Sequence, residues 1–332
     1  MLSAEHLALL YSALMALAII VYAVLDGYDL GVGILLPGDN KPAANTMIAS
    51  IGPFWDANET WLVLAVGLAL IAFPSAHSII LQALYLPIAF MLLGLILRGV
   101  AFDFRAKAKT RYRHTWDRCF KLGSLITAFS QGYMLGLYVM SFEHSLPSHL
   151  FAALSGIGVI AAYTLIGAAW LIMKCEGEVQ NAAIRWCRFS NLVAMLGVLA
   201  VSVVNPLINT YVQARWFGTE ASLLLLPLPF ICMVLFVLQD RVLLRLNQQP
   251  SHGCWLPFAI AVVIFLLCFF GIVYSFFPYV IPGTLTMFDA LADPSGLTFM
   301  LYGVVLVVPA IIGYTLFSYR VFWGKTQDLS YY

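Results

Sequence analysis

Five ionisable residues fall inside long apolar stretches of this sequence. Asp26 and Asp29 lie in AVLDGYDLGVG, Asp56 and Glu59 in GPFWDANETW, and Arg98 in LILRGV. A charge inside a membrane costs a few kcal/mol, so such groups are kept where they do something. The acids are spaced i,i+3 in each pair, which places each pair on one face of a helix. Several carboxylates crowded around one cation at low dielectric titrate as a coupled set and can hold or pass protons near neutral pH. A second reading needs no protons: the carboxylates pair with Arg98 and lock three helices together. In that reading Asp56 sits at a helix start, where the dipole favours an anion. The two readings are compatible.

Other chemistries lack their residues. The six histidines (6, 77, 114, 144, 149, 252) fall in loops or near span ends. None sits at mid-membrane, where a haem or metal would need an imidazole, so no metal ligand is expected from this chain. The six cysteines show no CxxC spacing and read as packing residues or loop thiols. No GxxxxGK[ST] and no GxGxxG occurs, which leaves nucleotide-driven transport unsupported. A net charge of +1 gives no basis for nucleic-acid binding.

The elements that must carry the five residues are transmembrane helices. The chain has 332 residues, is 62% hydrophobic and only 10% charged, too little charge to cover a soluble surface. Windows of about 20 apolar residues predict nine helices, over 8–36, 52–73, 78–102, 118–141, 150–174, 188–213, 221–240, 255–278 and 297–321. Breakers punctuate them at Pro37-Gly38, Pro74, Pro147, Pro250 to Gly253 and Pro282-Gly283, while Pro227 and Pro229 lie inside the seventh. The fold class expected is all-α, one polytopic membrane domain over 1–332, with no cleavable leader.

Cations set the orientation. Arg105, Lys107, Lys109, Arg111, Arg113, Arg118 and Lys121 follow or begin the loop after the third helix. Lys41, Lys174, Arg185, Arg188, Arg241, Arg245, Arg320 and Lys325 fall on the same side, and Arg215 alone on the other. The positive-inside rule then puts the N-terminus outside and the C-terminus in the cytoplasm. Asp29 lies about 10 Å from the cytoplasmic end of its helix, and Asp56, Glu59 and Arg98 share that layer. The expectation is an acidic cluster opening inward. Gly27-xxx-Gly31 with Gly33, and Gly132-xxx-Gly136, are spaced for close helix approach. Tyr133, Trp170, Trp216, Trp255 and Trp323, at span ends, are expected as interface anchors.

These segments carry a resemblance. LDGYDLGVGILLP (25–37) and IGPFWDANETWLV (51–63) are similar to the two signature segments of subunit II of cytochrome bd-type quinol oxidases. LRGVAFDFRAKAK (97–109) resembles that family's third-helix end and basic loop, and FFPYVIPGTLTMFDA (276–290) its last outward loop. The compact length resembles the shorter branch, which includes cyanide-insensitive oxidases. The resemblance implies a subunit of the bacterial inner membrane that pairs with subunit I. That partner carries haem b, haem d and the quinol site; none is ligated by this chain. The complex oxidises quinol and reduces dioxygen to water, taking protons from the cytoplasm. Subunit II supports assembly and haem retention, and its acids are implicated in proton delivery. A small single-helix accessory subunit, lipid and quinone are further partners the resemblance allows. Asp29, Asp56 and Asp26 match the family's acidic positions, Arg98 a basic one that balances them, and Glu59 stands where members often have Gln.

Two rivals are compatible with the residues alone. A proton- or cation-coupled secondary transporter also uses acids and broken helices, but this chain shows no evident inverted repeat and no mid-depth polar site in its later helices. A purely structural membrane partner would leave the carboxylates inert.

Overall fold

The protein's computed structural model describes residues 3–38, 41–109, 112–218, 225–249 and 252–326. Arg111, Pro250 and the first four residues of the span expected over 221–240 lie outside them. In chain order the helices are α1 (Ala4–Leu35), α2 (Lys41–Ile51), α3 (Trp55–Ala72), α4 (Pro74–Ala83), α5 (Tyr85–Lys107) and α6 (Arg113–Val139). Then follow α7 (Leu146–Lys174), α8 (Gly177–Ile208), α9 (Thr210–Phe217), α10 (Pro227–Leu246), α11 (Leu256–Phe276) and α12 (Pro294–Val321). A hairpin of β1 (Tyr279–Ile281) and β2 (Leu285–Thr286) precedes α12.

Among the described residues, eight helices are long and apolar enough to cross a membrane: α1, α3, α5, α7, α8, α10, α11 and α12. The expected span over 118–141 falls in α6, which has 27 residues but is not among the eight. It is more polar because Arg113, Asp117, Arg118 and Lys121 occupy its first turns and Ser124, Thr127, Ser130 and Gln131 follow.

Several boundaries differ from expectation, each for a local reason. The stretch 37–51 is not simply a loop: α2 lies there and buries Ala44, Met47, Ile48 and Ile51, an amphipathic pattern too short to span. The third span begins at Pro74 and is interrupted at Leu84. Pro87 has no N–H to give the carbonyl one turn earlier, so the helix breaks and restarts as α5. Helix α8 begins at Gly177, well before the expected 188, because its basic-side turns rise beyond the apolar window.

Helix α7 is the hub. It packs on α1, α6, α8 and α11, while α1 also packs on α3 and α6, and α5 on α6. More than half of its most apolar window is buried, against about a tenth for α12. The α1–α7 crossing depends on glycine. A Cβ at Gly31 would fall 1.8 Å from the Tyr163 carbonyl oxygen, and one at Gly167 would fall 2.6 Å from the Gly31 backbone.

The two ends of the bundle differ in chemistry. At one end cations bind helix C-terminal carbonyls, where the dipole favours them. Lys121 Nζ donates to Leu36 O at 3.1 Å, Lys174 Nζ to Phe322 O at 2.6 Å and Gly324 O at 3.1 Å, and Lys325 Nζ to Cys175 O at 3.0 Å. At the other end the hairpin packs Ile281, Met287 and Ala290 against Leu7, Ala8, Tyr11 and Phe73. The expected anchors divide accordingly. Trp255 and Trp323 are exposed. Trp170 and Trp216 are instead core residues: Trp170 stacks on Tyr28 at 4.1 Å, and Trp216 donates to Ser275 Oγ at 2.8 Å. A ring near a span end turns inward when a polar partner waits there for its N–H.

Candidate functional site

Arg98 is the centre of the candidate site, and it is fully buried. Helix α5 delivers it between α1, α3 and α6, with Trp55 and Phe120 rings 5.8 Å from its guanidinium carbon on either side. The close α5–α6 contact behind it needs Gly123, whose Cβ would meet the Arg98 backbone nitrogen at 2.9 Å. Arg98 Nη1 lies 2.7 Å from Asp26 Oδ1 and 3.4 Å from Glu59 Oε1. Asp26 is wholly buried, whereas the Glu59 side chain keeps 26% of its surface exposed.

Asp29 forms a second, closed part of the site. Its Oδ2 accepts from Asn58 Nδ2 at 2.7 Å, and the same amide nitrogen reaches the Tyr28 hydroxyl at 2.9 Å. The Tyr28 and Tyr319 hydroxyls are 2.5 Å apart, and Tyr319 donates to Asn58 Oδ1 at 3.4 Å. Above Asp29 toward the basic end, aromatic rings fill the interior. Tyr28 lies on Trp170, and Phe54 lies on Tyr319 at 4.6 Å.

The structure thus brings Asp26, Asp29, Glu59 and Arg98 together and leaves Asp56 out. Asp56 is exposed in the first turn of α3. The inward face of α3 is set by Asn58, Trp61, Ala65 and Leu68. Asp56 stands two residues, about 200° of turn, from Asn58 and so points away, while Glu59 sits at the edge. The two arms of the site differ in access. The α1 end is closed by the aromatic stack, and the exposed member is Glu59 on the flank of α3. Asp56, one turn nearer the helix start, lies outside it.

The inventory of ionisable groups missed neutral partners: Asn58, Tyr22, Tyr28, Gln131, Tyr163 and Tyr319. An amide or a run of tyrosines inside an apolar span was the available signal, since a buried amide must find partners. Many polar atoms of the site have no hydrogen-bond partner of good geometry: both Asp26 oxygens, Asp29 Oδ1, Glu59 Oε1, Trp61 Nε1 and three Arg98 nitrogens. Such a density of orphans suits a place where water is held.

The histidines for which a partner is seen are engaged with neighbouring side chains. His149 Nδ1 is 2.7 Å from the Tyr133 hydroxyl and its ring lies against His144, His6 is bonded to Ser3, and no group of His, Cys, Asp and Glu converges among the described residues.

Comparison with known proteins shows the family. The family model described as cytochrome bd terminal oxidase subunit II matches residues 7–322. Cytochrome bd ubiquinol oxidase subunit 2 of Bacillus subtilis is 28% identical over 336 aligned positions, covering 94% of this chain and 95% of that one. Cytochrome bd-I ubiquinol oxidase subunit 2 of Escherichia coli is 26% identical over 372 positions, covering 98% and 96%. A chain from the solved bd oxidase of Geobacillus thermodenitrificans shares the fold, with a TM-score of 0.72, 18% identity and coverage of 96% and 99%.

Proposed function

The chain belongs to the cytochrome bd terminal oxidase subunit II family, and from that premise we propose that it is the haem-free subunit of a quinol:oxygen oxidoreductase. It pairs with subunit I in the bacterial inner membrane, with its basic end in the cytoplasm and its N-terminus outside. Subunit I holds haem b, haem d and the quinol site. When bound there, the haems supply electron transfer and oxygen reduction.

This chain's own contribution is a proton-holding layer beside the partner. One observation carries the reading: Glu59 is partly exposed yet lies 3.4 Å from a fully buried Arg98–Asp26 pair. A carboxyl so placed can take a proton from the cytoplasmic side near Asp56 and hold it within reach of a fixed cation. Arg98 keeps the layer from accumulating negative charge. The Asp29–Asn58 arm ties α1, α3 and α12 together and supports assembly and haem retention. An inverted-repeat transporter has no comparable support here.

The test is oxygen uptake and haem content in the assembled complex. Glu59→Gln should slow oxygen uptake while the haem spectrum stays intact, and this chain expressed alone should carry no haem. Wild-type turnover in Glu59→Gln would refute the proton role. A stoichiometric haem in the isolated chain would refute the division of labour.

A further inference from the structure

Lys174 ends α7 with a buried ammonium, 7% exposed, whose acceptors come from the far end of the chain. Its Nζ donates to Phe322 O at 2.6 Å and to Gly324 O at 3.1 Å, and the Trp170 and Phe54 rings lie 5.2 and 5.6 Å from it. Thr326 N donates to Lys174 O at 2.8 Å, and Lys325 Nζ to Cys175 O at 3.0 Å. Four hydrogen bonds thus tie residues 322–326, just past α12, to the end of α7. Chain ends fray unless something ties them down, and this one is tied at a buried cation.

The path of this strap needs glycine. Gly324 has a φ of +107°, a backbone state open to glycine, yet a Cβ there would meet nothing within 4 Å. The residue is small for its conformation, which turns the Gly324 carbonyl back to Lys174, and not for room. The shaft of α12 gives the strap little support, since about a tenth of its apolar window is buried. The helix is fastened near its ends instead, where the Tyr11 hydroxyl donates to Leu297 O at 2.9 Å and Tyr319 meets Tyr28 and Asn58.

Beneath the strap lie aromatic layers and then the acid. The Phe322 ring stands edge-on to Phe54 at 5.9 Å, and Phe54 stacks on Tyr319 at 4.6 Å. Tyr319 contacts Asn58, which donates to Asp29. Asp29, Phe54 and Trp170 are buried, while Phe322 and Trp323 keep an exposed side. Without the strap carbonyls the Lys174 ammonium would sit unsatisfied beside two rings. It could stay charged there only by drawing water into their place. Strap and water therefore exclude one another above the stack.

We propose that residues 322–326 are a latched lid, pinned by Lys174, that keeps water at the basic end from the Tyr28–Asn58–Asp29 arm. The Glu59 flank of α3 is left as the accessible side of the site. The lid stands on packing alone and does not need Glu59 to carry protons.

Hydroxyl radicals made from water by an X-ray pulse oxidise the aromatic side chains that water reaches, and peptide mass spectrometry reads each site. In the assembled oxidase Tyr28 and Trp170 should stay almost unoxidised. Lys174→Met keeps the apolar stem and removes the pin. That variant, and a chain ended after Val321, should each raise oxidation of both rings several-fold at unchanged haem content. Gly324→Ala, strained at its φ, should give a smaller rise of the same pattern. Phe73 and Phe236, buried elsewhere in the bundle, should not change. Oxidation of Tyr28 in the intact chain at the level of the exposed Trp323 would overturn the lid. So would unchanged Tyr28 and Trp170 in the opened variants. An equal rise at Phe73 and Phe236 would report general loosening and refute a local lid. Should the shortened chain and Lys174→Met fail to assemble, Gly324→Ala decides, and no rise at Tyr28 then sinks the idea. Wild-type turnover in Glu59→Gln bears on the proton reading and leaves the lid standing.

Discussion

Asn58 donates to Asp29 across 2.7 Å, and the next residue on α3, Glu59, reaches Arg98 instead. A 100° step between neighbours lets one helix serve two acids on different partners. Asn58 faces α1 and is buried, whereas Glu59 turns along the flank toward α5. One acid is thereby sealed and the other accessible, a division that rests on a single residue's rotation.

The Arg98–Asp26 pair should be costly to break and cheap to remove whole. Arg98→Met or Asp26→Leu alone leaves an uncompensated buried charge, expected to destabilise by about 3–5 kcal/mol. The double variant should recover most of that loss. Thermal loss of the assembled complex, followed by its visible spectrum, gives the double-mutant cycle. Additive losses would show that the two side chains are not coupled.

Acid variants should rank by accessibility and contact. Glu59→Gln is expected to lower oxygen uptake by about tenfold or more, since positioned proton transfer contributes a large factor. Asp56→Asn, exposed and outside the cluster, should lower it only a few-fold. Asp29→Asn should mainly reduce haem content, because Asn58 loses its carboxyl acceptor. Oxygen-electrode rates normalised to haem separate the three.

Gly31→Ala should disturb the α1–α7 crossing, where its Cβ would fall 1.8 Å from the Tyr163 carbonyl oxygen. Overpacking of this kind costs about 1–3 kcal/mol. Gly303→Ala on α12 has nothing within 4 Å of the added carbon and should be neutral within this chain. Yield and melting of the purified complex compare the two.

Cysteine labelling settles the orientation. Single cysteines replacing Lys109 and Leu285 lie at opposite ends of the bundle. The former should react only when membrane-impermeant reagent reaches the cytoplasm, the latter from outside. Reversed accessibility would invert the topology.

Cys175, just past the end of α7, supplies a pH test. Burial pushes its thiol from 9.0 up to about 11, partly offset by Thr326, Lys325 and Lys174. A raised thiol stabilises the fold fully below pH 9. As pH climbs from 9 to 11 the unfolded chain gives up its proton first, and the contribution, at most about 3 kcal/mol, is lost. Cys175→Ala should flatten the alkaline fall in melting temperature over that window. An unchanged fall would assign it to other groups.

The sequence by itself determined the membrane class, most of the spans and the layer in which the acids meet. Apolar length and the side of each cation are local properties, and i,i+3 spacing follows from helix geometry alone. It also marked the glycines at which helices touch. What only the tertiary structure decided was rotation. Asp56 and Glu59 share a helix and a spacing, yet the packing of Asn58, Trp61 and Ala65 against α1 turns one outward and the other to Arg98. The same packing stacked Tyr28, Phe54, Trp170 and Tyr319 beside Asp29, and brought Gln131 and Tyr163 from later helices to Tyr22. Facing between helices is set by side chains far apart in the chain, and no single-span pattern encodes it.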